Sequence, residues 1–349
     1  MTAQAIVDLD ALRSNIRVLR DRVSPAEVML AVKANAYGHG LIEVGKAGVE
    51  AGASSLAVLE VSAGLALREA GVTVPLLAWL HGPETDFRSA IDAGIELGVS
   101  AIWQVDAIST SGASRPAIVH LKADTGLSRN GATPDDWPDL VRSALAAQKS
   151  GRLHIRAAWS HLADAGLGED EVALNRFREA VVVAEELGAK FEILHLAASP
   201  AGWRMPEARF DLVRFGIAAY GVSPFDDTSG REMGLRQVMT LRAPVVQVHP
   251  DGSELVRVSA GYADGVPVLG IPHARVLLNG ALLPIIDVDV DSTTLDAGTM
   301  RVRAGDIATF FGPGTDGEPT LEKWADWAGT IADEIVTVIP DRVERRYVG

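Results

Sequence analysis

Short apolar runs alternate with amphipathic stretches from Val28 to Tyr220, and this rhythm limits the chain's possible folds more than any other feature. Val28–Ala34 leads into Leu41–Ala51, Leu56–Leu59 into Ala63–Ala70, Val74–Leu80 into Glu84–Ala93, and Glu96–Val99 into a shorter segment near Val105. Ala117–Ala123 leads into Trp137–Gln148 and Ile155–His161 into Glu171–Leu187; Glu192–Ala197 and Leu212–Tyr220 complete the series. About eight short strands, most of them followed by a helix, predict an α/β fold, a parallel (β/α)8 TIM-type barrel. A doubly wound open sheet is the alternative, weakened because no phosphate-binding glycine fingerprint follows the first strand. Ahead of the series, Ala3–Leu9 reads as a strand. Asp10 reads as the N-cap of Ala11–Arg22, where Leu12, Ile16 and Leu19 recur at helical spacing.

The rhythm changes after Pro224. Asp226-Asp227-Thr228-Ser229-Gly230 reads as a linker. Beyond it, Ala243–Val248, Leu255–Ala260, Ala274–Leu278, Leu283–Val290 and Ile307–Phe311 read as strands without long intervening helices. The expected division is a barrel over 10–225 and a mostly β C-terminal domain over 231–349, with 1–9 as a candidate extra strand of the latter.

The chain has 349 residues, 48% of them hydrophobic, which suffices for a large domain and a smaller one with a sizeable core. A formal net charge of −14 argues against nucleic acid or anionic membranes as main partners. Cysteine is absent, which excludes disulfides and thiolate chemistry. Met1–Asp10 lacks a basic n-region and a long apolar core, and no apolar run approaches the roughly 20 residues of a membrane span. The expectation is a cytoplasmic protein without a signal peptide.

The stretch Ala31-Val32-Lys33-Ala34-Asn35-Ala36-Tyr37-Gly38-His39-Gly40 carries the most chemistry. A lysine where a strand opens into a loop can hold its amine in a desolvated pocket, where its pKa falls and it can form an imine with a carbonyl compound. A lone lysine is more often an ordinary surface residue. Here other polar residues fall at or near strand ends, where a barrel keeps its active site: Lys122 and Asp124, His161, His195 with Ser199 just after it, and Arg214. Each alone reads as a satisfied core or surface group. Their convergence on one face carries the argument.

The string around Lys33 resembles the cofactor-binding motif of the alanine racemase family, which implies pyridoxal 5'-phosphate (PLP) carried on Lys33 as an imine. Leu121-Lys122-Ala123-Asp124-Thr125-Gly126-Leu127-Ser128-Arg129 resembles the segment whose lysine is often carbamylated and whose arginine approaches the cofactor's phenolic oxygen. Those roles fall to Lys122 and Arg129. Ser160-His161-Leu162, His195-Leu196-Ala197-Ala198-Ser199 and Val213-Arg214-Phe215-Gly216-Ile217 follow the family pattern in order and spacing. By resemblance, Ser199 and the backbone at Gly216 hold the phosphate, Tyr37 lies near it, and Arg214 hydrogen-bonds the pyridine nitrogen. An arginine there keeps its proton, so the ring nitrogen stays neutral and the cofactor is a weaker electron sink. That favours reprotonation at Cα over transamination.

Ala260-Gly261-Tyr262-Ala263-Asp264-Gly265 resembles the family's other signature. Stereoinversion needs a proton removed on one face of a planar intermediate and delivered on the other. The resemblance implies that Lys33 serves one face and Tyr262 the other, with His161 hydrogen-bonding the tyrosine. In the family that tyrosine reaches the opposite subunit's active site, so a head-to-tail homodimer with shared sites is implied.

Other segments depart from the pattern. Only Val258-Ser259 matches a Val-Ser-Tyr-Gly segment that should stand well before Tyr262. The Gly-Arg-x-x-Met-Asp-Gln segment, whose methionine backbone helps hold the substrate carboxylate, should fall near Ile286 to Thr293; Asp287-Val288-Asp289-Val290-Asp291 stands there. Taken alone, that alternation reads as a strand with one charged face. The late phosphate-contacting tyrosine aligns with Asp333, whose carboxylate would repel a phosphate.

The resemblance implies a PLP-dependent amino-acid racemase, an isomerase interconverting L- and D-alanine, with D-alanine biosynthesis as its role. Racemisation of another small amino acid, or PLP binding without catalysis, are the alternatives; Tyr262 argues against the last. The second domain has no compact His/Cys cluster, so no metal is expected.

Overall fold

The computed structural model describes residues 2–164, 166–248 and 254–349. They form two compact units, one made of Ile16–Lys33 and Gly48–Gly216, the other of Met1–Asn15, Ala34–Ala47 and Ile217–Gly349.

After β1 (Gln4–Asp8), the chain forms β2 (Glu27–Ala31), β3 (Ser55–Val58), β4 (Leu76–Ala78), β5 (Ile95–Val99), β6 (Ala117–Lys122), β7 (Leu153–Trp159), β8 (Ile193–His195) and β9 (Leu212–Phe215). Strands β2 to β9 make one 8-stranded sheet in the order β8-β7-β6-β5-β4-β3-β2-β9. Every recorded pairing in it is parallel. The edges β8 and β9 meet: the Asp211 amide donates to Leu194 O at 3.1 Å and the Arg214 amide to Ala197 O at 3.1 Å. The sheet closes into the expected barrel. Its strands are apolar on both faces because helices cover the outside and side chains fill the inside; every residue of β3 and β5 is buried. Met29, Ala57, Leu77 and Leu212 form an interior cluster, with Ala31, Trp79 and Ile193 packed against it.

Some boundaries differ from those the sequence predicts. The first barrel strand stops at Ala31, so Lys33 stands in the turn beyond it. Asp8, not Asp10, caps the first helix: its Oδ1 accepts the Ala11 amide at 2.8 Å, and the helix runs Leu9–Val23. His195 ends its strand. The last barrel strand ends at Phe215 because the Gly216 amide donates to Ser199 Oγ, at 3.2 Å, instead of to a neighbouring strand.

In the second unit, β10 (Met239–Val248), β11 (Leu255–Val258), β12 (Arg275–Leu278), β13 (Ala281–Val288), β14 (Thr293–Asp296), β15 (Ile307–Phe311) and β16 (Glu344–Val348) join β1. The order is β11-β14-β13-β12-β15-β10-β1-β16, and β10 also pairs with β11, which closes part of the sheet into a ring. Bulges between Leu241 and Arg242 and between Val245 and Gln247 bend β10 enough to serve all these neighbours. The buried Asn15 donates to Ala219 O at 3.0 Å and Arg236 O at 2.8 Å, and accepts the Arg236 amide. The segment read as a linker, 226–230, lies in this unit. Among the described residues no helix is long and apolar enough to cross a membrane.

Candidate active site

Past Lys33 the backbone turns left-handed. Ala34, Asn35, Ala36 and Tyr37 have φ of 50°, 53°, 55° and 52°. L-residues avoid this region at a cost of roughly 1–2 kcal/mol each, so the surroundings must hold the turn. Amides of Gly38 and Gly40 donate to Ala34 O (3.0 Å) and Asn35 O (2.9 Å), and Asn35 Oδ1 accepts the Leu41 amide that opens the next helix. The buried His39 ring sits with Nδ1 3.0 Å from Ala36 O and 2.9 Å from Tyr37 O. Carbonyls only accept, so Nδ1 carries the hydrogen. Burial lowers the His39 pKa to about 4, which keeps the ring neutral. Arg345 Nε donates to Gly38 O at 3.0 Å. A Cβ on Gly40 would stand 1.9 Å from the Tyr347 hydroxyl, so no side chain fits. The Tyr37 ring packs on Tyr220 at 4.9 Å. Burial and then the Asp333 carboxylate push the Tyr37 phenol above its ordinary value, so it remains a hydrogen-bond donor.

In the barrel unit, Lys122, Trp159 and His195 are register partners on β6, β7 and β8, which sets them side by side at the strands' C-terminal ends. Trp159 stacks on His195 at 5.4 Å and 10°, and its ring also takes the Lys122 amine at 4.6 Å and the Arg214 guanidinium at 5.1 Å. Arg214 is buried and saturated on one side. Its Nη2 donates to Ser160 O and Leu196 O, both at 2.9 Å, and lies 3.1 Å from His161 Nδ1; its Nη1 donates to His195 Nδ1 at 3.0 Å. Burial pulls the guanidinium down to about 9, so it is protonated at neutral pH. Burial, then the charges of Arg214, Arg129, Lys122 and Lys33, holds His161 far below its ordinary value. A guanidinium nitrogen accepts nothing, so His161 Nδ1 facing Arg214 Nη2 is bare and the ring's hydrogen lies on Nε2. Burial, then Arg214 and Arg129, lowers the Lys122 amine to about 7. Arg129 is exposed on the loop after β6, a loop tied down by Asp124 Oδ1 accepting the Gly126 and Ser128 amides. The Gly216 amide donates to Ser199 Oγ at 3.2 Å, both buried, which leaves the serine hydroxyl hydrogen to be given elsewhere.

In the second unit Tyr262 opens a 3-10 turn with half of its surface exposed. Its amide donates to Asp289 O at 3.0 Å, and the Ala263 amide to Val290 O at 2.9 Å. Asp264 Oδ2 accepts the Gly261 amide and Oδ1 pairs with Arg342 at 3.1 Å. A Cβ on Gly261 would fall 2.2 Å from Asp289 O, so only glycine lets the two segments touch. The strand predicted across Asp287–Asp291 ends at Val288; 289–292 is the turn between β13 and β14, and its carbonyls carry the tyrosine's backbone.

The structure thus gathers Lys33, Lys122, Arg129, His161, Ser199, Arg214 and Gly216 in the barrel unit and places Tyr37 and Tyr262 in the other. Trp159, His120, Glu96 and the His39–Tyr220–Arg345 brace escape a sequence reading. Their functions come from tertiary partners, although the parity of His120 with Lys122 on one strand was a usable signal.

The family model described as alanine racemase, N-terminal domain, matches residues 7–224, and that described as alanine racemase, C-terminal domain, matches residues 247–347. The alanine racemase of Streptomyces coelicolor is 42% identical over 378 residues, spanning 100% of this chain and 96% of its own. The crystal structure of alanine racemase from D-cycloserine-producing Streptomyces lavendulae superposes with a TM-score of 0.97 at 39% identity, covering 100% of this chain and 97% of that one. The Bartonella henselae alanine racemase structure with covalently bound pyridoxal phosphate superposes with a TM-score of 0.87 at 27% identity, covering 99% of each chain.

Proposed function

The chain belongs to the alanine racemase family, and from that premise we propose that it is a PLP-dependent isomerase interconverting L- and D-alanine, with Lys33 and Tyr262 as the two bases. The observation that carries this reading is the cationic cluster at the barrel's C-terminal end, where Arg214 lies 3.1 Å from His161 Nδ1 and shares the Trp159 ring with the Lys122 amine, and where the charges of Arg129 and Lys33 also bear on His161. Such a donor set fits a cofactor bearing a phosphate and an oxygen anion. When bound, PLP supplies an electron sink that acidifies Cα–H of the attached amino acid.

Lys33 holds the cofactor through its amine and moves a proton on one face of Cα. Ser199 Oγ, the Gly216 amide and the Tyr37 hydroxyl take the phosphate. Arg214 keeps its proton and donates to the ring nitrogen, while Arg129 faces the phenolic oxygen. Tyr262 moves the proton on the other face. His161, with its hydrogen on Nε2, donates to the tyrosine oxygen and stabilises it when it has lost its proton. Half-exposed Tyr262 serves the partner subunit, which makes the working unit a head-to-tail homodimer with shared sites. Supply of D-alanine from the cytoplasm is the role this activity implies. The reading is tested by loading the protein with PLP and following loss of optical rotation for L-alanine and a panel of other amino acids. Turnover of alanine supports it; turnover of a different amino acid alone reassigns the substrate.

A lysine amine poised near neutrality between two guanidinium groups suits carbamylation. The neutral Lys122 Nζ adds to the carbon of CO2 and sheds a proton, leaving an anion for Arg129 and Arg214 to pair. Enzyme equilibrated with 13C-bicarbonate is expected to show a carbamate carbon signal that Lys122→Arg lacks; no such signal in the parent enzyme leaves Lys122 as an amine.

Asp333 places a carboxylate near the Tyr37 hydroxyl. Removing that charge in Asp333→Asn is expected to tighten PLP binding by about three- to tenfold, as one partly screened charge beside a phosphate should. An absorbance titration measures it. Equal affinity means the carboxylate turns away from the phosphate.

A further inference from the structure

A hydrogen-bonded chain runs from Arg214 through the barrel interior, away from the site. Arg214 Nη1 lies 3.0 Å from His195 Nδ1, His195 Nε2 lies 2.9 Å from His120 Nδ1, and His120 Nε2 lies 2.7 Å from Glu96 Oε2. His195 is completely buried, His120 and Glu96 nearly so. Glu96 is the second residue of β5, so the chain starts among the C-terminal strand ends and finishes near the opposite end of the barrel.

Its polarity is forced. A guanidinium has hydrogens on every nitrogen and accepts nothing, so His195 Nδ1 must be bare and its single hydrogen lies on Nε2. That hydrogen points at His120 Nδ1, which must then be bare, so the His120 hydrogen lies on Nε2 and points at Glu96. Each link is a donor meeting an acceptor only in this direction. The reverse direction would set His195 Nδ1–H against an Arg214 N–H. Arg214 thus sets the direction, and the last hydrogen, on the buried His120 Nε2, needs an acceptor; a carboxylate, which only accepts, supplies it.

Glu96 is itself held ionised. Its other oxygen pairs with Arg156. Burial pushes its carboxyl up, but the hydrogen bonds from His120 and Arg156 and the charge of Arg156 outweigh that and hold it below the usual carboxylate range. Arg156 gets there by a defect in the sheet: the β6–β7 register slips between Val119, opposite Ile155, and His120, opposite Ala157, leaving Arg156 without a partner on β6. A bulge re-aims a side chain, and this one delivers a guanidinium to Glu96.

We infer that Glu96 is a positioning residue for the reaction: by accepting the last hydrogen of the chain it keeps the His120 and His195 rings in the orientation in which His195 Nδ1 accepts from Arg214, and so holds the Arg214 guanidinium aimed at the cofactor's ring nitrogen. This rests on the reading of Arg214 proposed above.

The test uses PLP-loaded enzyme with 15N-labelled histidine, in which protonated and bare ring nitrogens resonate apart. The parent enzyme is expected to show His120 and His195 each with its hydrogen on Nε2. Glu96→Leu leaves the buried His120 Nε2–H without an acceptor and is expected to move the ring-nitrogen signals of His120 and His195, shift the cofactor absorbance band, and weaken PLP binding by about tenfold, the factor a hydrogen bond of ordinary net strength carries. Glu96→Gln keeps an accepting oxygen and should retain the parent ring signals and the band. A hydrogen on Nδ1 of His195 in the parent enzyme overturns the inference without any variant, so a failure of Glu96→Leu to fold leaves it decidable. Parent-like ring signals and an unmoved band in Glu96→Leu also overturn it. Arg214→Lys separates the two readings: if it moves the band and Glu96→Leu does not, the inference fails and the role of Arg214 stands. An unmoved band in Arg214→Lys removes that role and with it the inference.

Discussion

Tyr262→Phe is expected to slow racemisation by about 10³-fold, within the range that one positioned acid–base group contributes, while PLP binding and the cofactor absorbance band stay unchanged. The turn that presents the tyrosine is built from backbone: its amide on Asp289 O, the Ala263 amide on Val290 O, and the Asp264 carboxylate on the Gly261 amide. Loss of one hydroxyl, half exposed, disturbs none of these. The remaining base, Lys33, still exchanges the proton on its own face. In deuterated water the variant should therefore label Cα of one alanine enantiomer much faster than the other, where the parent enzyme labels both. Equal slowing for the two enantiomers would sink the assignment of Tyr262 to one face.

Lys33→Ala has the larger effect. On the proposed assignment it removes the covalent holder of the cofactor and one of the two bases together, so racemisation is expected to fall by at least about 10⁴-fold, and the absorbance of a lysine-linked cofactor should vanish. The left-handed turn beyond it should persist, since His39, Arg345 and the Gly40–Tyr347 contact hold it independently of the lysine. Unchanged circular dichroism with abolished activity would show that. The two variants also test the shared site. If each site takes Lys33 from one subunit and Tyr262 from its partner, a mixed dimer of Lys33→Ala and Tyr262→Phe chains contains one intact site. Random mixing should then recover about a quarter of parental activity, where neither variant alone has any to speak of. Without recovery after subunit exchange, both bases come from one chain or the subunits do not pair this way.

The barrel was legible because its signal is local. Short apolar strands followed by helices repeat from Val28 onward, and a parallel sheet covered on both faces needs that pattern. The strand-end position of Lys122 followed from it and Arg214 lies within its strand as expected, whereas the strand expected to close at His161 stops at Trp159 and leaves the histidine two residues beyond. Turn chemistry was less legible. Asp287–Asp291 alternates like a strand, yet 289–292 makes the turn because its carbonyls are taken up by Tyr262 and Ala263. The brace on the left-handed turn was not legible at all, since His39 and Arg345 are far apart in sequence. Nor was the Glu96–His120–His195–Arg214 chain, whose members lie on separate strands and whose direction is set only by contact.

Racemisation of alanine by this chain requires exchange of Cα–H on both faces. Proton NMR of L-alanine and of D-alanine, each incubated in deuterated water with the PLP-loaded enzyme, measures that exchange. The Cα proton signal is expected to disappear from either starting enantiomer, with both samples reaching the same equal mixture of L and D. Retention of the Cα proton in both samples, with the cofactor demonstrably bound, would contradict it.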